Sequence, residues 1–138
     1  MIDRRFDSDL YVHGNVSFFE MSANTDFIRY DFGMTANLIL TKQWDRLAWS
    51  ITGHYRGGAN DEFLLRNASV TEPLADYYRI DTQLKYKWRE SNELVLDIQN
   101  LTSRENDAYY FFDSFLQEVV LEKQLGIIPI LSYKRFLN

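Results

Sequence analysis

Between residues 78 and 88 the chain alternates without a break between two kinds of side chain. Tyr78, Ile80, Thr82, Leu84, Tyr86 and Trp88 take one set of alternate positions, and Arg79, Asp81, Gln83, Lys85 and Lys87 take the other. Strand pleating sends successive side chains to opposite sides, so a strand here carries no charge on one face and four charges on the other. A helix of the same sequence would scatter both kinds around its circumference, because its period is 3.6 residues. The stretch is predicted to be a strand whose two faces meet different surroundings.

The same period-2 pattern recurs along the chain, whereas helical periodicity is weak throughout. Leu10, Val12, Gly14, Val16 and Phe18 form an apolar row opposite Tyr11, His13, Asn15 and Ser17. Phe32, Met34, Ala36, Leu38 and Leu40 stand opposite Asp31, Thr35, Asn37 and Thr41. Leu47, Trp49, Ile51, Gly53 and Tyr55 stand opposite Arg46, Ser50, Thr52, His54 and Arg56. Leu94, Leu96 and Ile98 face away from Asp97 and Gln99, and residues 124–136 (QLGIIPILSYKRF) set Leu125, Ile127, Pro129, Leu131 and Tyr133 against Gln124, Ser132 and Lys134. Short connections fall near residues 42–46 (KQWDR) and 89–92 (RESN), and longer ones near residues 21–27, 57–77 and 104–115. The expected fold is all-β: an antiparallel meander of about six long strands in three hairpins, with short turns at one rim and long loops at the other.

Composition removes several function classes. No window approaches 18 consecutive apolar residues, so no transmembrane helix is expected. Met1 is followed by IDRRFDSDL, without the apolar core of a signal peptide, so none is expected at this start. Fifteen basic and 20 acidic residues give a net charge of −5 with no basic cluster, which argues against a nucleic-acid partner. There is no cysteine, hence no thiolate metal site, catalytic thiol or disulfide. Two readings fit the alternation: a wall of an outer-membrane β-barrel, and a small soluble β-sheet or barrel domain binding a ligand in a polar interior. Ten residue steps at about 3.3 Å span roughly 33 Å. Tilted by about 45°, that covers on the order of 23 Å, close to the roughly 25 Å apolar band of such barrels.

Three stretches, read in order, resemble the C-terminal end of TonB-dependent outer-membrane receptors, especially the Bacteroidetes kind. They are YYRIDTQLKYKW (residues 77–88), NELVLDIQNLTSREN (residues 92–106) and QLGIIPILSYKRF (residues 124–136). Arg79 and Asp81, the run from Leu96 to Asn100, and Gly126, Pro129 and Tyr133 match the family's pattern; Leu137 stands in the register where the family usually ends on an aromatic. The resemblance implies the C-terminal part of a barrel of about 22 strands, a size known for outer-membrane transporters, with the plug domain and upstream strands absent. It implies a bacterial outer-membrane location, uptake of large or scarce nutrients and no catalysis. The partners it implies are outer-membrane lipid, the remainder of the barrel and plug, an unknown substrate, and a TonB complex reached only through the absent N-terminal part.

Candidate chemistry is sparse. His13 and His54 both fall on polar faces, but nothing in the sequence sets them within reach of one another or of a supporting carboxylate. Asp81 and Asp97 on adjacent strands, with Arg79, Lys85 and Lys87, are expected to form a cross-strand ladder of ion pairs. Residues 60–77, with Asp61 and Glu62, read as a loop that contacts ligand or simply packs on its neighbours. Tyr109, Tyr110, Phe111 and Phe112 read as an aromatic run near the last loop tip, suited to stacking, anchoring or packing. The ligand-contact candidates are therefore His54, Arg56, Arg79, Asp81, Asp61, Glu62, Tyr109 and Tyr110. No phosphate loop, nucleophile elbow or zinc spacing occurs, so no cofactor, metal or catalytic residue is expected.

Overall fold

The computed structural model describes residues 1–6, 9–18, 30–31, 33–57, 60–65 and 68–136. In chain order the strands are β1 (Ile2–Phe6), β2 (Leu10–Phe18), β3 (Tyr30–Asp31), β4 (Met34–Gln43), β5 (Leu47–Gly57) and β6 (Asn60–Leu65). They continue with β7 (Ala68–Pro73), β8 (Tyr77–Arg89), β9 (Asn92–Gln99), β10 (Asp107–Asp113), β11 (Glu118–Lys123) and β12 (Ile128–Arg135). No helix occurs among the described residues. The fold is all-β, as the alternation predicts.

Seven strands make one open antiparallel sheet in the order β1-β2-β4-β5-β8-β9-β12. The six expected strands are all there, in sequential order. The addition is β1, which pairs with β2 from Ile2↔Gly14 to Phe6↔Leu10. Its Asp3, Arg4 and Arg5 interrupt any apolar row, so backbone pairing alone defines it. The expected closing strand is shorter than its pattern: β12 starts at Ile128, and Gln124, Leu125, Gly126 and Ile127 lie outside it.

The long connections depart further from expectation. Residues 57–77 contain the hairpin β6–β7, closed by pairs from Asn60↔Pro73 to Leu65↔Ala68, with β3 alongside β6. Residues 104–115 lead into a second hairpin, β10–β11, with its tip at residues 114–117. Both are expected from the sequence as loops, because the segments themselves lack strict alternation. Local hydrogen bonding builds the strands instead. At the second tip, Asp113 Oδ1 accepts the N–H groups of Phe115 (2.7 Å) and Leu116 (3.1 Å), closing the turn from its own side chain. The expected loop at residues 21–27 and the row position Phe32 lie outside the described residues, as does Leu137.

Register turns the alternating rows into continuous bands. On one face, Leu10, Lys42, Trp49, Leu84, Leu96 and Leu131 align across the sheet. Leu47, Tyr86, Leu94 and Tyr133 align beside them at the short-turn end, and Val16, Ala36, Tyr55 and Tyr78 at the other end. On the opposite face Asn15, Asn37, His54 and Arg79 align, as do His13, Ile39, Thr52 and Asp81.

Burial runs opposite to that of an ordinary water-soluble sheet. Among the described residues the buried apolar ones are Leu74 and Val95, whereas Glu93 is 7% exposed and Asn106 2%. Across the apolar face, Leu84 is 38% exposed, Leu38 49% and Leu131 67%. The charged face is thus the sheltered one. Residues of the apolar bands as far apart as Val16, Trp49, Leu96 and Tyr133 stay open, and a soluble domain would bury such a patch.

Candidate functional site

The polar face carries the chemistry, concentrated towards the end from which the two long hairpins emerge. Its centre is Asp81 on β8. Strand pleating puts Arg79 two residues before it on the same side, and both Nε (3.0 Å) and Nη2 (2.6 Å) of that guanidinium donate to Asp81 Oδ2. Register sets His54 of β5 opposite Arg79, so His54 Nε2 comes within 3.8 Å of the same Oδ2. The other ring nitrogen, Nδ1, lies 2.7 Å from Asn37 Oδ1 on β4, where the proton sits on the histidine if this is a hydrogen bond to the amide oxygen. The remaining carboxylate oxygen, Oδ1, accepts the backbone N–H of Asn100 (2.8 Å). Asp81 therefore joins strands β4, β5 and β8 to the segment that follows β9.

Two depressions flank this cluster. One, of about 400 Å³, runs past Thr35, Asn37, His54, Arg56, Tyr77 and Arg79 and ends at Gln124. Within it the Arg56 guanidinium stacks 5.1 Å from the centre of the Tyr77 ring. The second, of about 420 Å³, lies between Arg79 and the base of the β10–β11 hairpin, whose Tyr109, Glu122 and Lys123 form its far wall. Arg79 and Gln124 belong to both. A smaller polar recess of about 270 Å³ continues down the sheet past Asp81, Thr82, Gln83 and Asp97. Together they form an open, hydrogen-bonding trough, with planar amides, a histidine, two guanidinium groups and tyrosine rings. Such a surface can hold a polar solute by many directional contacts. It contains no nucleophile aligned with a base, and no group of three or more metal-binding side chains occurs among the described residues.

Five of the sequence candidates meet here: His54, Arg56, Arg79, Asp81 and Tyr109. Tyr110, next along β10, does not; its hydroxyl approaches the Pro73 carbonyl at 3.5 Å. Asp61 and Glu62 sit on β6, in register with Glu72 and Thr71. Two expectations need correction. His54 does have a carboxylate neighbour, because register sets Asp81 beside it across the strand boundary; His13 stays apart from it, with β4 between their strands. The expected ladder of ion pairs between β8 and β9 is also different in kind. Arg79 pairs within its own strand, Asp97 accepts from Gln83 Nε2 (3.1 Å), and the cross-strand charges are those of Lys87, Glu93 and Lys134. Asn37, Gln124 and Asn100 also belong to the site, and the sequence alone does not single them out. Their signal is an amide at a polar-face or turn position, too common to single out without the register.

The opposite face has its own polar bookkeeping. Trp49 Nε1–H donates to Thr82 Oγ1 (2.8 Å), and that hydroxyl donates to the Ser50 carbonyl (3.1 Å). Lys42 directs its ammonium towards the Trp44 ring, 6.0 Å from its centre, at the short turn. At the same rim Trp88 stacks on Tyr133 (5.7 Å between ring centres), whose hydroxyl donates to Asn92 Oδ1 (2.6 Å). At the far rim the Tyr55 hydroxyl donates to Asp76 Oδ2 (2.9 Å), and Tyr78 accepts from Arg104 Nη1 (2.7 Å). Aromatic rings thus border the apolar band at both ends, and the Tyr55, Tyr78 and Tyr133 hydroxyls are hydrogen-bonded at its rims.

No protein-family model, curated protein or solved structure matches this chain.

Proposed function

We propose that this chain is a segment of barrel wall in a bacterial outer membrane: the C-terminal part of a TonB-dependent receptor, a component of nutrient uptake without a catalytic step of its own. The inverted burial of the sheet carries this reading. An uncovered face without acidic side chains, bounded by aromatics at both rims, suits the hydrocarbon and its two interfaces. A sheltered face of amides, guanidinium groups and carboxylates suits a water-filled lumen that contacts a polar solute. The satisfied Thr82 and Trp49 groups fit the same view, since polar atoms in lipid find partners within the protein. The three ordered motifs are what supports the choice of family. The open outer edges of β1 and β12 would pair with further strands of the barrel, because unpaired edges in lipid cost several kcal/mol per group.

The test is membrane fractionation of cells expressing the chain, with quenching of Trp49 fluorescence by brominated lipids. The reading expects the chain to pellet with membranes, resist a urea wash, dissolve in detergent and show Trp49 quenched. A freely soluble, cooperatively folding monomer with Trp49 unquenched would overturn it in favour of a soluble ligand-binding sheet.

A further inference from the structure

Strand β8 outruns its neighbour. Pairing between β8 and β9 extends only up to Thr82↔Ile98, so residues 77–81 of β8 have no strand on that side. Backbone groups left in this position need other partners. The segment after β9, residues 100–106, supplies them. The Leu101 N–H donates to the Ile80 carbonyl (2.7 Å). Two residues up, the Asn106 side chain covers Tyr78: its Oδ1 accepts the Tyr78 N–H (3.2 Å), and its Nδ2 donates to the Tyr78 carbonyl (3.1 Å). A single amide thus replaces a strand neighbour for one residue.

The same segment also grips the roots of both long hairpins. Arg104 donates through Nε to Asn106 Oδ1 (3.0 Å), through Nη1 to the Tyr78 hydroxyl and through Nη2 to the Asp76 carbonyl (3.1 Å), just after β7. Its guanidinium lies 3.8 Å from the centre of the Tyr78 ring. Asp107, the first residue of β10, accepts the Ala75 N–H (3.0 Å). On the side of β11, Gln124 N–H donates to the Asn106 carbonyl (2.8 Å), and Asn100 Nδ2 donates to the carbonyls of Arg104 (2.8 Å) and Leu125 (3.1 Å). Asn100 holds its place with a positive φ of 52°, a conformation asparagine tolerates better than most residues.

We propose that Arg104 and Asn106 form a clasp that ties the roots of β6–β7 and β10–β11 to the head of β8, so that the two hairpins hold and loosen as one cap. Asn106 is the positioning residue. The clasp sets where Tyr109, Glu122 and Lys123 stand relative to Arg79, and Asp81, through the Asn100 N–H, links it to the polar cluster. Nothing in this arrangement depends on whether the apolar face meets lipid.

Amide hydrogen exchange on the full chain, in whichever of membrane, detergent or buffer it folds, tests the clasp. In Asn106→Ala, two backbone groups of Tyr78 lose their partners, and exchange should accelerate about tenfold or more in both hairpins together. Pairs of β4 with β5 should keep their protection. Asp107→Ala, which cuts a bond between the two roots 32 residues apart along the sequence, should likewise loosen both hairpins together. Asn92→Ala, at the other rim, should leave both hairpins unchanged. Should Asn106→Ala fail to fold, Arg104→Lys keeps the cation, loses the fork and should show the same paired response. Loosening of one hairpin alone, of neither, or of the whole sheet uniformly would overturn the clasp. A soluble chain with paired loosening would retain the clasp and remove the membrane reading.

Discussion

Replacing Leu84 by arginine separates a lipid-facing sheet from one that faces water. Leu84 lies on the uncharged face of β8, with Trp49 opposite it on β5 and Leu96 on β9. It stands four residues from Trp88 and six from Tyr78, the aromatics that bound the band. At about 3.3 Å per residue and a tilt near 45°, it is roughly 9 Å in depth from the nearer ring. An arginine near the midplane of such a barrel costs about 2–4 kcal/mol, falling to about 0–1 near the interfaces. Leu84→Arg should therefore reduce the folded-to-unfolded ratio by a factor between about 30 and several hundred. Ile80→Arg, two residues from Tyr78, should cost about 1 kcal/mol. Gln83→Arg, on the polar face beside Asp97, should stay within about 0.5 kcal/mol. The assay is urea titration of the chain refolded into phosphatidylcholine vesicles, followed by tryptophan fluorescence and protease protection. If the face met water, Leu84→Arg would also fall within about 0.5 kcal/mol, as surface substitutions do. Equal costs at positions 80 and 84, or a cost at 83 matching that at 84, would refute the depth argument.

On the lipid-facing reading, Thr82→Val should destabilise the sheet by about 1–3 kcal/mol, because it leaves the Trp49 indole N–H without an acceptor. Trp49→Phe made with it should recover most of that loss in the same titration; no recovery would mean the bond is not the cause. Asp113→Ala removes the acceptor for the Phe115 and Leu116 N–H groups and should cost about 0.5–2 kcal/mol locally. Limited proteolysis should then cut within residues 114–117 faster, with the main sheet unaffected. Glu93→Lys would place three lysines in one cross-strand row with Lys87 and Lys134, and should destabilise by at least about 1 kcal/mol. That loss should shrink in high salt, and a salt-independent value would argue for a packing effect instead.

Much of the architecture was legible because period 2 is a local signal. The rows of β2, β4, β5, β8 and β9 could each be read from a dozen residues, and short turns between them implied antiparallel neighbours. The hairpins β6–β7 and β10–β11 were not legible. Their strands show no regular polar–apolar alternation, and what builds them is backbone pairing and the Asp113 turn. The site was half legible. Arg79 and Asp81 share a face of one strand, so their meeting follows from pleating alone. His54 and Asn37 join them only because the registers of β4 with β5 and of β5 with β8 bring those positions level.

The sequence by itself determined which side chains share a face, because the pleat is a property of the backbone at each residue. It determined that one face is free of acidic groups and the other charged, and it carried the three motifs that suggest a family. Tertiary structure alone decided which face is sheltered. Alternation is the same whether the apolar rows close on a core or turn outward, and only the exposure of Leu38, Leu84 and Leu131 beside the burial of Glu93 tells the two apart. It also decided the role of the segment at residues 100–106, whose asparagines look like ordinary turn residues until β8 is seen to extend past β9. Hydrogen bonds that join positions 28 residues apart, as between Asn106 and Tyr78, leave no periodic trace in the chain.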